Sequence, residues 1–337
     1  MTVSIDKFIW DLTYACPLRC IHCYSESGRR PARTLDRASA MRVVDVILSA
    51  HPTRISLSGG EPLLVKWCAE AAQRLRASGC EVTLFTSGWL ISEAIALDLA
   101  QSVATVAVSV DGTDVATHDK IRGRLGGFER AMTGLQLLGS VRGNLRRASR
   151  PCYSLGIDFT LMRSNARSNL EEFVEHVTST VPELDFIRFG AVIPTGLAAE
   201  EDFEEAELLT IEELVDLIEA REDLASRARN GASVMMTDVR YFLPNPQSDA
   251  TDLSIAQIEP DGALRAFPIY EAKVGNILEE PLDILWSRAM KWRADPFVSE
   301  HLRSIRSMAD WARVTRILDR RYGSPADRQR MLQRQTF

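Results

Sequence analysis

From Phe8 to about Gly190, short apolar runs alternate with stretches whose apolar residues recur every three or four positions. The runs at 9–13, 54–58, 81–86, 105–110, 154–161 and 185–189 are too short for helices, and most are rich in β-branched residues; each predicts a strand. Helical spacing fills the intervals. Residues 38–50 place Met41, Val44, Ile47 and Leu48 on one face, and similar patterns cover about 66–78, 92–101, 128–138 and 169–181. Strands separated by helices of this length imply parallel βαβ units. Six such units without a Rossmann glycine fingerprint predict an α/β fold, a partial (β/α)6 TIM-type barrel, with its chemistry at the C-terminal ends of the strands.

After Gly196 the rhythm changes. The acidic run 200–207 reads as a solvated loop or helix start, and 211–228 as a helix. Residues 254–258 and 263–267 flank Pro260-Asp261-Gly262 and predict a hairpin. Met235 and Met236 read as core strand residues, and the tail from about Leu282 is helical and arginine-rich. The expected organisation is a core over 1–200, a linker and helix over 201–230, a small α+β extension over 231–298 and a helical tail over 299–337.

The 337 residues suit one large domain with an appendage. A net charge of −6 gives no footprint for nucleic acid. No apolar run reaches the roughly 18 residues of a membrane span, and the first residues lack the basic-then-apolar pattern of a signal peptide. The expected location is cytoplasmic, where cysteines stay reduced and serve metals or catalysis.

Of six cysteines, three are scattered (Cys68, Cys80, Cys152) and three are crowded into Cys16-Pro17-Leu18-Arg19-Cys20-Ile21-His22-Cys23, directly after the first strand. Thiolates at this spacing can wrap one corner of a cubane, and three are one short of the set that fills a 4Fe–4S cluster. One iron is then open to a ligand. A zinc site using His22 is the alternative, but structural zinc sites usually pair two ligand knuckles and no second one follows. Three structural thiols are the remaining reading. The scattered cysteines read as ordinary buried thiols.

Cys-x3-Cys-x2-Cys after a first strand resembles the signature of the radical S-adenosylmethionine (SAM) superfamily. The flanks Leu12-Thr13-Tyr14-Ala15 and Tyr24 resemble its branch with a SPASM or twitch extension, which includes peptide maturases and natural-product enzymes. The resemblance covers residues 5–200 and, more weakly, 250–290. It implies that Cys16, Cys20 and Cys23 hold one 4Fe–4S cluster whose open iron binds SAM. Ser58-Gly59-Gly60-Glu61-Pro62 is similar to the family's Gly-Gly-Glu-Pro motif, which implies that Gly59, Gly60 and Glu61 hold the SAM amino group. Ser87, in Thr86-Ser87-Gly88, stands where the family usually has asparagine. Ser109 and Asp111 end the fourth strand, where the family binds the ribose or carboxylate of SAM. Arg122, in His118-Asp119-Lys120-Ile121-Arg122-Gly123, is implied to pair with the SAM carboxylate. Thr160 and Arg163 fall near the adenosyl group, and Val192 and Ile193 along the adenine. An electron donor such as flavodoxin or ferredoxin is the implied partner.

Family members with auxiliary clusters carry further cysteines in the extension. Here none follows Cys152, and Phe267-Pro268 stands where Cys-Pro is expected. A SPASM-like extension without metal ligands leaves no electron sink for a net oxidation. The resemblance therefore implies a redox-neutral outcome, of lyase or isomerase type: decarboxylation, epimerisation or elimination on a small-molecule sugar, nucleoside or related intermediate in antibiotic or secondary-metabolite biosynthesis. The alternative is a ribosomal-peptide maturase. Trp10, Arg163, Arg188, Asp238, Arg240 and Gln257 are candidate substrate contacts, and Tyr153, Tyr241 and Tyr270 candidate hydrogen donors.

Overall fold

The computed structural model describes residues 4–239 and 254–334. Among these residues, ten strands form one sheet: β1 (Lys7–Asp11), β2 (Arg54–Ser58), β3 (Glu81–Thr86), β4 (Thr105–Ser109), β5 (Ser154–Leu161), β6 (Phe186–Ala191), β7 (Ser233–Thr237), β8 (Ile255–Ile258), β9 (Ala263–Arg265) and β10 (Lys273–Asn276). Their spatial order is β10-β9-β8-β1-β2-β3-β4-β5-β6-β7. From β8 through β1 to β7 every pairing is parallel, while β9 and β10 add antiparallel at the edge.

Parallel neighbours need crossovers. Those between β1 and β6 are α1 (Arg37–Ser49), α2 (Cys68–Ala77), α3 (Glu93–Ser102), the pair α4 (Val115–Arg122) and α5 (Gly127–Arg147), and the pair α6 (Arg163–Ala166) and α7 (Leu170–Thr180). The helices α8 (Glu201–Glu207), α9 (Ile211–Glu219) and α10 (Arg221–Ser226) precede β7, and α11 (Leu282–Arg293), α12 (Pro296–Arg303), α13 (Met308–Tyr322) and α14 (Pro325–Leu332) follow β10. Helix starts carry their expected caps: the carboxylates of Asp36 and Asp114 accept from the Ser39 and Thr117 amides at 2.8 and 2.9 Å.

The two faces of the sheet differ. Trp10, Leu57, Leu84, Val108, Ile157 and Phe189 are fully buried beneath the helices. Their neighbours in the alternating pattern, such as Ser56, Ser58, Thr83, Ser109, Asp158 and Arg188, are only partly buried. A doubly wound sheet covers both faces with helices. Here one face is left polar and partly open, the lumen of a partial barrel.

All six expected strands are present, with ends shifted by at most about two residues. The structure differs elsewhere. The expected helix at 128–138 runs on to Arg147. Beyond the expected end, Gly139 and Gly143 are packing positions, where a Cβ would lie 3.0 Å from Val181 Cγ1 and 2.7 Å from Glu183 Oε1. The expected helix at 211–228 breaks at Ala220, and the acidic run forms α8. The hairpin of the extension is not detached, because β8 pairs with β1 from Lys7↔Ile255 to Trp10↔Ile258 and so continues the core sheet. Met235 lies on β7, but at 38% exposed it is not a core residue.

Candidate metal and cofactor site

The thiol loop leaves the C-terminal end of β1 and is held from three sides by backbone. The Gly60 and Glu61 amides donate to Thr13 and Ala15 carbonyls at 2.6 and 2.8 Å, Arg19 and Ile21 amides donate to Arg122 and Ile121 carbonyls, and the Leu197 amide donates to Cys23. This pairing explains the two glycines of the motif. Gly59 has φ +111°, and a Cβ on Gly60 would lie 2.1 Å from the Ala15 carbonyl oxygen. The close approach they permit is to the chain's own thiol loop, where the sequence reading expected a ligand.

All six cysteines are free thiols. Each clustered sulfur already has a hydrogen-bonding neighbour. Leu18 N donates to Cys16 Sγ at 3.4 Å, Arg122 Nη1 donates to Cys20 Sγ at 3.6 Å, and Ser25 Oγ lies 3.6 Å from Cys23 Sγ. Burial pushes the Cys16 thiol up to about 12 and that of Cys20 up to about 11, so without a metal both hold their protons. Hydrogen bonds aimed at sulfur suit thiolates that ligate iron. Among the described residues no three His, Cys, Asp or Glu side chains converge as ligands of a single ion do; the thiolates of a cubane each bind a different iron. The donor set fits an iron–sulfur cluster.

Beside the loop, Asp111 is a fully buried hub just past β4. Its Oδ2 pairs with Arg122 Nη2 at 2.6 Å and His22 Nε2 at 3.0 Å, and its Oδ1 accepts from the Thr160 amide at 2.8 Å. Burial alone would raise its carboxyl, but Arg122 and His22 together hold it well below the usual carboxylate range. The Asp111 amide donates to His118 Nδ1 at 3.2 Å. Burial, reinforced by Arg122, lowers His118 to about 4 and keeps it neutral. Asn165 clips this end of the sheet together, donating from Nδ2 to the carbonyls of Asp111 and Thr160. The sequence reading missed Asn165 and the roles of His22 and His118, since the partner that defines each role, Asp111, is remote from Asn165 and His22 in the chain and no spacing marks the pairing. Arg122 thus faces Cys20 and Asp111, and its buried Nε has no partner.

Glu61 is also fully buried. Its Oε2 accepts from the Ser87 amide and hydroxyl at 2.9 and 2.5 Å, and its Oε1 accepts from Thr86 Oγ1 at 2.8 Å. Glu61 and Ser87 are therefore brought together, with the carboxylate tying the ends of β2 and β3. Burial outweighs these bonds and raises its carboxyl above the usual value. Ser109 and Thr160 lie on the inner face, and Ile193, partly buried, follows β6.

The candidate substrate contacts divide. Gln257 donates to Asp11 Oδ2 at 2.9 Å, and Tyr24 donates to Asp11 Oδ1 at 2.6 Å, so these three meet on the inner face. Arg188 pairs there with Asp158 at 2.6 Å. Trp10 does not belong to this group: it is buried on the opposite face, stacked on Trp67 with centroids 5.4 Å apart. Arg163 is turned away to the Glu205 and Leu208 carbonyls. Asp238 is partly buried beyond β7, and Arg240 and Tyr241 lie outside the described residues. Tyr153 and Tyr270 are buried, one donating to the Leu138 carbonyl and the other accepting from Trp311. Cys68 and Cys80 are buried as expected, whereas Cys152 is only partly so.

Residues 10–144 match the Radical SAM superfamily. The AdoMet-dependent heme synthase of Methanosarcina barkeri is 32% identical over 206 residues, covering 60% of this chain and 55% of its own length. The chain thus spans about half of that relative. The pre-heme d1 synthase of Dinoroseobacter shibae is 26% identical over 319 residues, covering 87% of this chain and 74% of its own. Among solved structures, SuiB of Streptococcus suis with S-adenosylmethionine bound aligns over 90% of this chain and 69% of its own, with a TM-score of 0.65 and 16% identity, a likeness of fold. No helix among the described residues is long and apolar enough to cross a membrane.

Proposed function

Starting from a chain that carries a radical SAM domain over residues 10–144, we propose that it is an enzyme that removes hydrogen from a small-molecule intermediate in a redox-neutral step of lyase or isomerase type. Cys16, Cys20 and Cys23 would hold one 4Fe–4S cluster, and SAM would occupy the open iron. When bound, these groups supply one-electron cleavage of the sulfonium and a 5′-deoxyadenosyl radical. The observation that carries the reading is the set of three clustered sulfurs, Cys20 buried and Cys16 and Cys23 partly so, each with a hydrogen-bonding neighbour, at the C-terminal end of a parallel sheet.

The chain's own residues bind and orient. Leu18, Arg122 and Ser25 hold the sulfurs. Gly59 and Gly60 fix the loop against β2. Glu61 and Asp111, whose oxygens are already engaged, act through Ser87, Thr160 and Arg122, which we assign to the SAM side together with Ser109 and Ile193. Asp11, Tyr24, Gln257 and the Arg188–Asp158 pair give the lumen its polar wall for a substrate.

A small molecule is favoured because a relative matched along most of this chain, the pre-heme d1 synthase, bears the name of a small-molecule synthase. SuiB has also been solved with its precursor peptide SuiA, but at this identity the likeness carries the fold alone. The redox-neutral outcome rests on the absence of cysteine after Cys152. Cytoplasmic surroundings keep such thiols reduced.

Anaerobic reconstitution tests this. The protein should take up about four irons, turn brown, and release 5′-deoxyadenosine from SAM with dithionite; Cys20→Ala should do none of these. Zinc in place of iron, or full turnover by Cys20→Ala, refutes the enzymatic reading. Stimulation of SAM cleavage by a precursor peptide, with none by small molecules, refutes the substrate class.

A further inference from the structure

The outer side of the thiol loop carries a cationic surface that nothing in the site described above uses. Arg19 projects from the loop itself and is exposed. Its backbone pairs with the end of α4, where Gly123 caps the helix in the left-handed region (φ +66°) and lies so close that a Cβ would be 2.2 Å from the Arg19 carbonyl oxygen. That contact brings Lys120 and Arg124 alongside. Arg124 Nη1 donates to the Pro17 carbonyl at 2.6 Å and stacks over Trp89, 4.2 Å from its centroid, with Arg130 on the same ring at 5.5 Å. Arg29 reaches in from the other side, donating to the carbonyls of Arg19 and Cys20 at 2.6 and 3.0 Å.

These charges are not cancelled. The hydrogen bonds of Arg29 and Arg124 end on neutral carbonyls. Among the described residues no carboxylate lies within ion-pair distance of Arg19, Arg29, Lys120, Arg124 or Arg130. Asp119 is turned inward to cap the Gly126 and Phe128 amides. Glu129, exposed nearby, leaves the patch net positive. On a chain of net charge −6 such a surface is out of character. Leu125, next to Arg124 in the chain, is 89% exposed, an apolar side chain in open solvent. Exposed cations beside an exposed apolar residue suit docking of an acidic protein. The patch adjoins Cys20, since Arg19 directly precedes it in the chain and Arg29 donates to its carbonyl, and electron tunnelling weakens steeply with distance.

We propose that Arg19, Arg29, Lys120, Arg124, Leu125 and Arg130 form the docking surface for an acidic single-electron carrier protein of the flavodoxin type. The inference rests on the iron–sulfur reading above. In the transfer the carrier loses one electron and the cluster gains one, with no atom exchanged.

The test compares reduced flavodoxin with dithionite as reductant of the reconstituted holoenzyme, following the loss of visible absorption in stopped flow. With flavodoxin, Lys120→Glu/Arg130→Glu should lower the second-order rate at low salt by about tenfold or more. Added salt should slow the wild type and affect the variant less. Leu125→Ser should slow flavodoxin at all salt concentrations. Iron content and dithionite-driven SAM cleavage should stay at wild-type level in each variant. Arg54→Glu, at the opposite end of the sheet, should change neither reaction. Equal flavodoxin rates in wild type and the double variant overturn the surface, as does an equal loss in Arg54→Glu. A wild type that makes no 5′-deoxyadenosine even with dithionite overturns the iron–sulfur reading, and the surface with it.

Discussion

Asp111→Asn is the sharpest probe of how the site is held. The carboxylate is fully buried and faces Arg122, itself 10% exposed, at 2.6 Å. Asparagine keeps an oxygen for the Thr160 amide but presents either no charge or a second donor to the guanidinium and His22. Arg122 then keeps a buried charge without its partner. Removing one member of such a pair costs about 3–5 kcal/mol, whereas removing both charges is often close to neutral. Urea denaturation of the apoprotein, followed by far-UV circular dichroism, should therefore show a loss of about 3–5 kcal/mol for Asp111→Asn and a smaller loss for Asp111→Asn/Arg122→Met. The folded carboxyl titrates below its unfolded value of about 3.9, so its contribution is complete above that value and vanishes only as pH falls through the folded one. The difference between wild type and variant should thus be flat from about pH 5 to 8. A single-variant cost under about 1 kcal/mol, or a double variant that loses the sum of both singles, would refute the pairing as the organising contact.

Three further substitutions separate neighbouring contributions. His118 is buried and lowered to about 4; between that value and about 6.5 the unfolded chain binds more protons, so stability of the apoprotein should fall by about 3 kcal/mol as pH drops through this window. His118→Gln should remove that slope, and a difference between the two proteins that ignores pH would reject the assignment. Glu61→Gln leaves the buried Ser87 amide or hydroxyl facing an NH2 group and should cost about 1–3 kcal/mol in urea; unchanged stability would show that the carboxylate is dispensable. Gly60→Ala forces a Cβ to within 2.1 Å of the Ala15 carbonyl, so the variant should keep its far-UV spectrum yet lose iron on desalting, and full iron retention would contradict the tight loop.

Much of the core was readable because each βα unit carries its own local signal. Strands β2, β3 and β5 match the expected ranges to the residue, since each is a short apolar run and the following helix restores the longer period. The cysteine spacing and the motifs after each strand could be placed for the same reason. What failed was non-local. The pairing of β8 with β1 joins residues 248 positions apart, as in Lys7↔Ile255, and the periodicity of either strand says nothing of its neighbour. The helix expected to end near 138 runs on because Gly139 and Gly143 pack against Val181 and Glu183, 40 or more residues away. Trp10 looks available to a substrate because its strand leads to the thiols, but alternation puts it on the helix-covered face. His22 was read as a zinc candidate; its partner Asp111 is 89 residues away.

The extension is better understood as a wall of the cluster site than as a module beside it. Glu26, three residues after Cys23 and with φ +53°, accepts from Arg330 at 2.9 Å and Arg334 at 2.7 Å. Arg330 also pairs with Glu271 at 2.8 Å, Glu271 with Arg265 at 3.6 Å, and Arg265 with Glu259 at 2.9 Å. Lys273 joins the chain through Asp327 at 2.6 Å. Charges buried this deeply add little net stability over an apolar core, because desolvation offsets their attraction. Each nevertheless requires its partner, so the network admits few other arrangements of the C-terminal helices. A second route runs from β8 through Gln257 to Asp11 and on to Tyr24, the residue after Cys23. Both routes end on the stretch just past the third sulfur. The hairpin that leads into Phe267-Pro268 therefore meets the thiol loop through ion pairs and hydrogen bonds.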